Sequence, residues 1–160
     1  MREDLQNKLY EKYPKIFVQK DLPMTQTAMC WGISCGDGWN DIIDTLCFHI
    51  QQQVDSPIES VERYEKILSE PDLEEANRGY LESLLQEARS NIIEQVEAAQ
   101  VKEKYGGLRF YVMGGNETVD ALISFAEDMS YRTCESCGSP ATPSEGGWIT
   151  TRCNKCKGEI

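Results

Sequence analysis

The chain has 160 residues and a net charge of −11, with 40% apolar and 27% charged side chains. That is enough apolar material for one packed domain with a small appended module, and it excludes wholesale disorder. The longest apolar runs are a few residues, too short for a membrane span. The acid balance argues against nucleic-acid binding, which draws its affinity from phosphate neutralisation.

The N-terminal residues carry charge and no apolar stretch, so the expected setting is cytoplasmic and reducing. Residues 2–13 predict a short helix, with Leu5, Leu9 and Tyr13 at fourfold spacing and Pro14 as its stop. Residues 15–36 show no helical period and read as a loop with one strand, Lys15 to Gln19. Gly36-Asp37-Gly38-Trp39 then opens a helix over about 38–53, with Asp37 as N-cap and Trp39, Ile43, Leu46, Ile50 and Val54 as the apolar stripe.

Ser56-Pro57-Ile58-Glu59 reads as a second helix start, a capping box with proline at the first helical position. Pro71 begins a third helix whose apolar face runs from Leu73 to Val96. Residues 57–97 thus predict an antiparallel helical hairpin of net charge −7. The acid on it is the ordinary signature of a solvated helix face.

Residues 98–113 switch to period two around Gly106-Gly107, a hairpin signal. With those glycines as a two-residue loop, Lys104 faces Arg109 and Lys102 faces Tyr111. Val101, Tyr105, Leu108, Phe110 and Val112 form the core face, with Glu103 as the exception. Lys102, Lys104, Arg109 and Tyr111 form the other. Like charges directly opposed are unfavourable, so something negative belongs there. Two readings stay open: acids of the chain itself, or an anionic ligand gripped by the cations and stacked on Tyr111. Asp37 and Trp39 complete the candidate ligand site. Residues 117–130 predict a helix with Val119, Leu122, Ile123, Ala126 and Met129 inward.

Cys134-x-x-Cys137 and Cys153-x-x-Cys156 are separated by 15 residues. Each turn points two thiolates at one point, and zinc takes four ligands tetrahedrally. The segment between them suits a zinc ribbon: knuckle, loop, strand, knuckle. Four protein ligands close the coordination shell, so the expected Zn²⁺ is structural and does not activate water. Cys30, Cys35 and Cys47 read as small buried hydrophobes.

The expected architecture is α+β. Helices pack on a small antiparallel β-hairpin or sheet in a domain of residues 1–130, with 57–97 as an inserted helical hairpin. A four-cysteine zinc ribbon follows at 131–160. Without a nucleophile elbow, a phosphate-cradling loop or a histidine pair, the reading leans away from an enzyme; a nucleotide hydrolase is the least favoured alternative. The leading expectation is a binding protein for an anionic, nucleotide-like small molecule. A protein–protein scaffold acting through the acidic hairpin and ribbon is the second.

Three strings stand out together: Cys35-Gly36-Asp37-Gly38-Trp39; the KEKYGGLRFY run Lys102–Tyr111 behind Val101; and Ala126-Glu127, Ser130, Cys134-Glu135, Cys137-Gly138, Gly147-Trp148, Cys153 and Cys156. Their combination resembles a family of small bacterial and bacteriophage zinc-ribbon proteins whose activity is uncharacterised. The resemblance covers 35–56 and 98–156 and leaves 57–97 as a variable insert. It implies a bacterial or phage cytoplasmic setting and proximity in space of the two strings outside the zinc-binding pairs. By analogy, a small acidic binder in a phage setting is expected to sequester a host nucleotide signal or to block a host defence protein.

Overall fold

A computed structural model of the chain describes residues 1–158; the last two positions of the expected ribbon, 159–160, lie outside the described residues. Helix α1 (Glu3–Lys12) carries acids in its first turn and Lys12 in its last, as the helix dipole favours. Strand β1 (Ile33–Ser34) is short. Helix α2 (Asn40–Leu68) is followed by α3 (Glu75–Ser90), strands β2 (Glu97–Lys104) and β3 (Gly107–Met113), and helix α4 (Glu117–Ser130). Strands β4 (Thr142–Pro143) and β5 (Thr151–Arg152) pair within the C-terminal segment. The fold class is α+β, as the sequence predicts.

Strands β1, β2 and β3 form one sheet in that order; β1 runs parallel to β2, and β2 antiparallel to β3. The inner face of the sheet supplies Val101, Leu108 and Phe110, which pack with Trp39, Ile43, Leu46, Ile50 and Val54 of the α2 segment. Phe17, Ile16 and Val119 close the same core. α4 covers the free edge of β3. Its Ser130 hydroxyl accepts from Leu108 N–H at 2.8 Å, and its Glu127 carboxylate accepts from Phe110 N–H at 3.1 Å. Those contacts satisfy donors that an open edge would offer to another strand.

Four local expectations are corrected. Lys15 to Gln19 is not a strand: it forms turns leading into a 3-10 turn at Val18–Asp21, and the third strand is instead Ile33–Ser34. Ser56-Pro57 does not start a helix. α2 runs through it as 29 residues, with Pro57 inside. The reason is that Val61, Tyr64, Ile67 and Leu68 are half-buried along the continuing helix, and α3 packs against α2. Loss of one N–H donor at Pro57 is tolerated against that packing.

α3 ends at Ser90 rather than continuing to 97. Ile92 and Val96 leave the helix because the chain must return to the sheet. There Ala98 N–H donates to the Ile16 carbonyl at 2.7 Å and Val96 is fully buried.

Finally, the β2–β3 loop is Tyr105-Gly106, not Gly106-Gly107. Lys102 pairs with Arg109, Lys104 with Gly107 and Val101 with Phe110, with a bulge between Ala98 and Gln100. Both loop residues have positive φ (54° and 77°), the pattern of a type I′ turn. Tertiary packing selects this register. A Cβ on Gly107 would lie 2.4 Å from Cζ of Tyr131, so a residue without a side chain must occupy the strand there. The pairing moves by an even step, so the two faces of the hairpin survive. Tyr105, however, leaves the core face for the exposed turn.

Candidate metal centre and the faces around it

The four cysteine sulfurs of Cys134, Cys137, Cys153 and Cys156 all lie within 4.8 Å of one another. Cys137 Sγ and Cys153 Sγ are 3.7 Å apart, far beyond a disulfide bond of about 2 Å. A tetrahedral ion with four sulfurs at about 2.3 Å requires sulfur–sulfur separations near 3.8 Å. The cluster therefore fits one metal ion held by all four residues. Each cysteine pair sits on a backbone turn. Gly138 N–H donates to the Cys134 carbonyl at 2.8 Å, with Gly138 at φ +75°, and Lys157 N–H donates to the Cys153 carbonyl at 3.0 Å. The Ser139 hydroxyl lies 3.4 Å from Cys137 Sγ and pulls that thiol down to about 6. Hydrogen bonding to Cys137 and Cys153 holds Cys156 up to about 12. A cation bound by the four sulfurs would displace the thiol protons.

The strand expected between the two knuckles is Thr151–Arg152. Thr151–Arg152 pairs with Thr142–Pro143, while Trp148 is 83% exposed in the connecting loop.

The cysteine segment is seated on the main body, and the Cys35–Trp39 and Lys102–Tyr111 strings supply the seat. Gly38 N–H donates to the Glu135 carbonyl at 2.7 Å, and Gly36 N–H donates to Glu135 Oε1 at 2.9 Å. Burial pushes the Glu135 carboxyl up, while the Gly36 bond opposes the shift. The indole N–H of Trp39 donates to the Thr133 carbonyl at 2.8 Å. On the hairpin side, the Thr151 hydroxyl donates to the Gly106 carbonyl at 2.5 Å. A Cβ on Gly38 would meet three backbone atoms of the knuckle, the nearest 2.1 Å away at the Cys134 carbonyl oxygen. The glycines of Gly36-Asp37-Gly38 are therefore explained by the close approach of the Cys134–Cys137 turn.

This seat redefines two residues of the expected ligand site. Trp39 is fully buried and has no solvent-facing surface. Asp37 makes no capping bond; α2 starts at Asn40 after a 3-10 turn over Asp37–Trp39. The Asp37 carboxylate accepts instead from the Arg2 backbone N–H and Nε, both at 2.7 Å, which lowers its pKa. The backbone donor of Gly38, which an anion would need, is taken by Glu135. Cys35 is buried, and burial pushes its thiol up to about 12, so it is no activated nucleophile.

The outer face of β2 and β3 separates into paired and unpaired cations. Arg109 is held internally. It donates to the Tyr131 hydroxyl at 2.7 Å and to the Leu108 carbonyl at 2.5 Å, and lies 3.5 Å from the Glu127 carboxylate. Lys102 and Lys104 have no carboxylate within ion-pair distance among the described residues. Lys102 lies over the Tyr111 ring at 5.6 Å and Lys104 over the Tyr105 ring at 5.4 Å. Thus Lys102, Lys104 and Tyr111 remain together on an open face, and Arg109 borders it with its charge already matched.

The sequence reading did not identify Thr133, Glu135, Tyr131 and Thr151 as partners of the two strings. The signal available was positional: Glu135 sits inside the first cysteine pair, next to residues already singled out. Comparison with protein-family models, with curated proteins and with solved structures finds no match to this chain.

Proposed function

We propose that the chain is a non-enzymatic binding protein, stapled by a structural Zn²⁺, that takes an anionic, nucleotide-like ligand on the open face of β2 and β3. Cysteine-only ligation favours zinc over harder cations, and four protein ligands leave no position for a reacting water. The observation that carries the ligand reading is the pair Lys102 and Lys104. They lack a carboxylate partner among the described residues of a chain whose net charge is −11. An acidic protein that leaves two neighbouring lysines unmatched beside an exposed tyrosine offers charge and a stacking ring to a phosphate-bearing base. The setting, bacterial or phage cytoplasm with sequestration of a host signal or inhibition of a defence protein, is supported by the motif resemblance alone.

Metal analysis by plasma mass spectrometry tests the zinc, with one zinc per chain expected. Calorimetric titration with ATP, ADP and a cyclic dinucleotide tests the ligand. Binding that weakens with salt and is lost in Lys102→Ala/Lys104→Ala supports the reading. No binding, or binding unchanged in that variant, overturns it.

A scaffold role has its own observation. Among the described residues, the only acids of 57–97 that form ion pairs are Glu65 (to Arg89, 2.6 Å) and Glu75 (to Arg78, 3.6 Å). Partner capture that is lost on replacing the exposed Glu62, Glu82 and Glu87 of α2 and α3 with glutamine, with zinc content retained, would favour that role instead.

A further inference from the structure

A cleft of about 530 Å³ lies between α1 and the segment around the 3-10 turn Met29–Trp31, away from the sheet face and the cysteine cluster. Its volume suits a small molecule rather than a polypeptide segment. Tyr10, Glu11, Lys20, Asp21 and Trp31 are among its walls. One ammonium group is already accommodated there by the chain itself. Lys20 pairs with Asp21 and lies 5.8 Å from the centre of the Tyr10 ring. That is a complete set of cation, carboxylate and aromatic face.

The cleft holds a second carboxylate and a second ring without a cation. Glu11 is exposed and has no ion-pair partner among the described residues. Trp31 lines the cleft and is 65% exposed, so its ring is open to a ligand. Indole is the strongest of the aromatic faces for a cation. The Tyr10 hydroxyl is buried with no hydrogen-bond partner, so the same wall carries an unsatisfied polar group. Lys20 and Asp21 cancel, leaving the named wall at −1 in a chain of −11, and the field favours a cation over an anion.

We infer that this cleft binds a small alkylammonium ligand, with Trp31 as the aromatic wall and Glu11 as the anionic wall. The inference is independent of the anionic ligand proposed for the sheet face.

Calorimetric titration of the full chain with putrescine at fixed ionic strength tests it, with 1,4-butanediol as the uncharged analogue. Saturable putrescine binding is expected. It should weaken about tenfold in Trp31→Ala and roughly threefold or more in Glu11→Gln, the range for a cation over an indole and for a partly exposed ion pair. Butanediol should not bind. Both substituted side chains are exposed, so the variants should keep the parent melting curve. Absence of saturable putrescine binding, equal binding by the wild type and Trp31→Ala, or comparable binding of butanediol would each overturn the inference.

Discussion

Gly38→Ala probes the joint between the cysteine segment and the main body. The added methyl carbon would stand 2.1 Å from the Cys134 carbonyl oxygen, 2.4 Å from Gly138 N and 2.7 Å from Cys137 N. All three are backbone atoms of a metal-binding turn, so no rotamer change relieves the clash. The turn must lift away or the helix start must shift. Lifting it breaks three bonds: Gly38 N–H to Glu135 O, Gly36 N–H to Glu135 Oε1 and Trp39 Nε1–H to Thr133 O. At about 1 kcal/mol net for each, the loss is about 3 kcal/mol. The helix-propensity gain of alanine over glycine offsets at most about 1 kcal/mol. Urea unfolding of zinc-supplied protein measures the difference, and a chromogenic chelator measures how readily metal leaves. The expected result is destabilisation of at least about 2 kcal/mol with faster metal loss. Gly147→Ala is the control, since its methyl group would meet nothing within 4 Å; its effect should stay within about 0.5 kcal/mol. If Gly38→Ala matches that control, the seating of the knuckle on Gly36–Trp39 is refuted.

Gly79→Ala lies inside α3 with open space around the new methyl group, so it should raise stability by about 0.5–1 kcal/mol in the same urea assay; a loss would contradict the helical assignment there. Pro57→Ala restores the missing donor inside α2 and should raise the melting temperature, by the equivalent of about 1–3 kcal/mol; a fall would mean that the chain breaks at Ser56-Pro57 after all. In native protein at pH 8, iodoacetamide should spare the buried Cys35 and Cys47, whose thiols burial pushes up; peptide mapping that finds both alkylated as fast as in urea would refute their burial. Stability should also fall as pH rises from about 9 towards 12, because the unfolded chain releases the Cys35 proton while the folded chain keeps it. The slope from one such group is at most about 1.4 kcal/mol per pH unit, and an unaltered slope in Cys35→Ala would remove Cys35 as a contributor.

The readable parts of the sequence were those governed by local periodicity or by fixed chemical spacing. α1, the first half of α2, the two faces of the hairpin and α4 follow from apolar spacing; the cap of α4, Asn116 accepting from Val119 N–H at 3.0 Å, was not among the caps read from the sequence. The paired cysteines follow from ligand geometry. What was not readable were choices between local alternatives of similar merit. Ser56-Pro57-Ile58-Glu59 fits a helix start as well as a helix interior. Tyr105-Gly106-Gly107 offers two turns, and only the position of Tyr131 against Gly107 decides between them. Asp37 looks like a cap until Arg2, distant in sequence, claims its carboxylate.

The sequence by itself determined an α+β chain with a four-thiol cluster and a basic hairpin face set in an acidic protein. Those features depend on residue type and spacing, which survive any packing. The tertiary structure decided how they are used. It buried Trp39 under the cysteine segment, gave Arg109 to Tyr131 and Glu127, and left Lys102 and Lys104 unmatched. Whether a charge is spent inside the fold or kept for a ligand depends on which distant group lies within a few ångströms of it, and no local pattern carries that information.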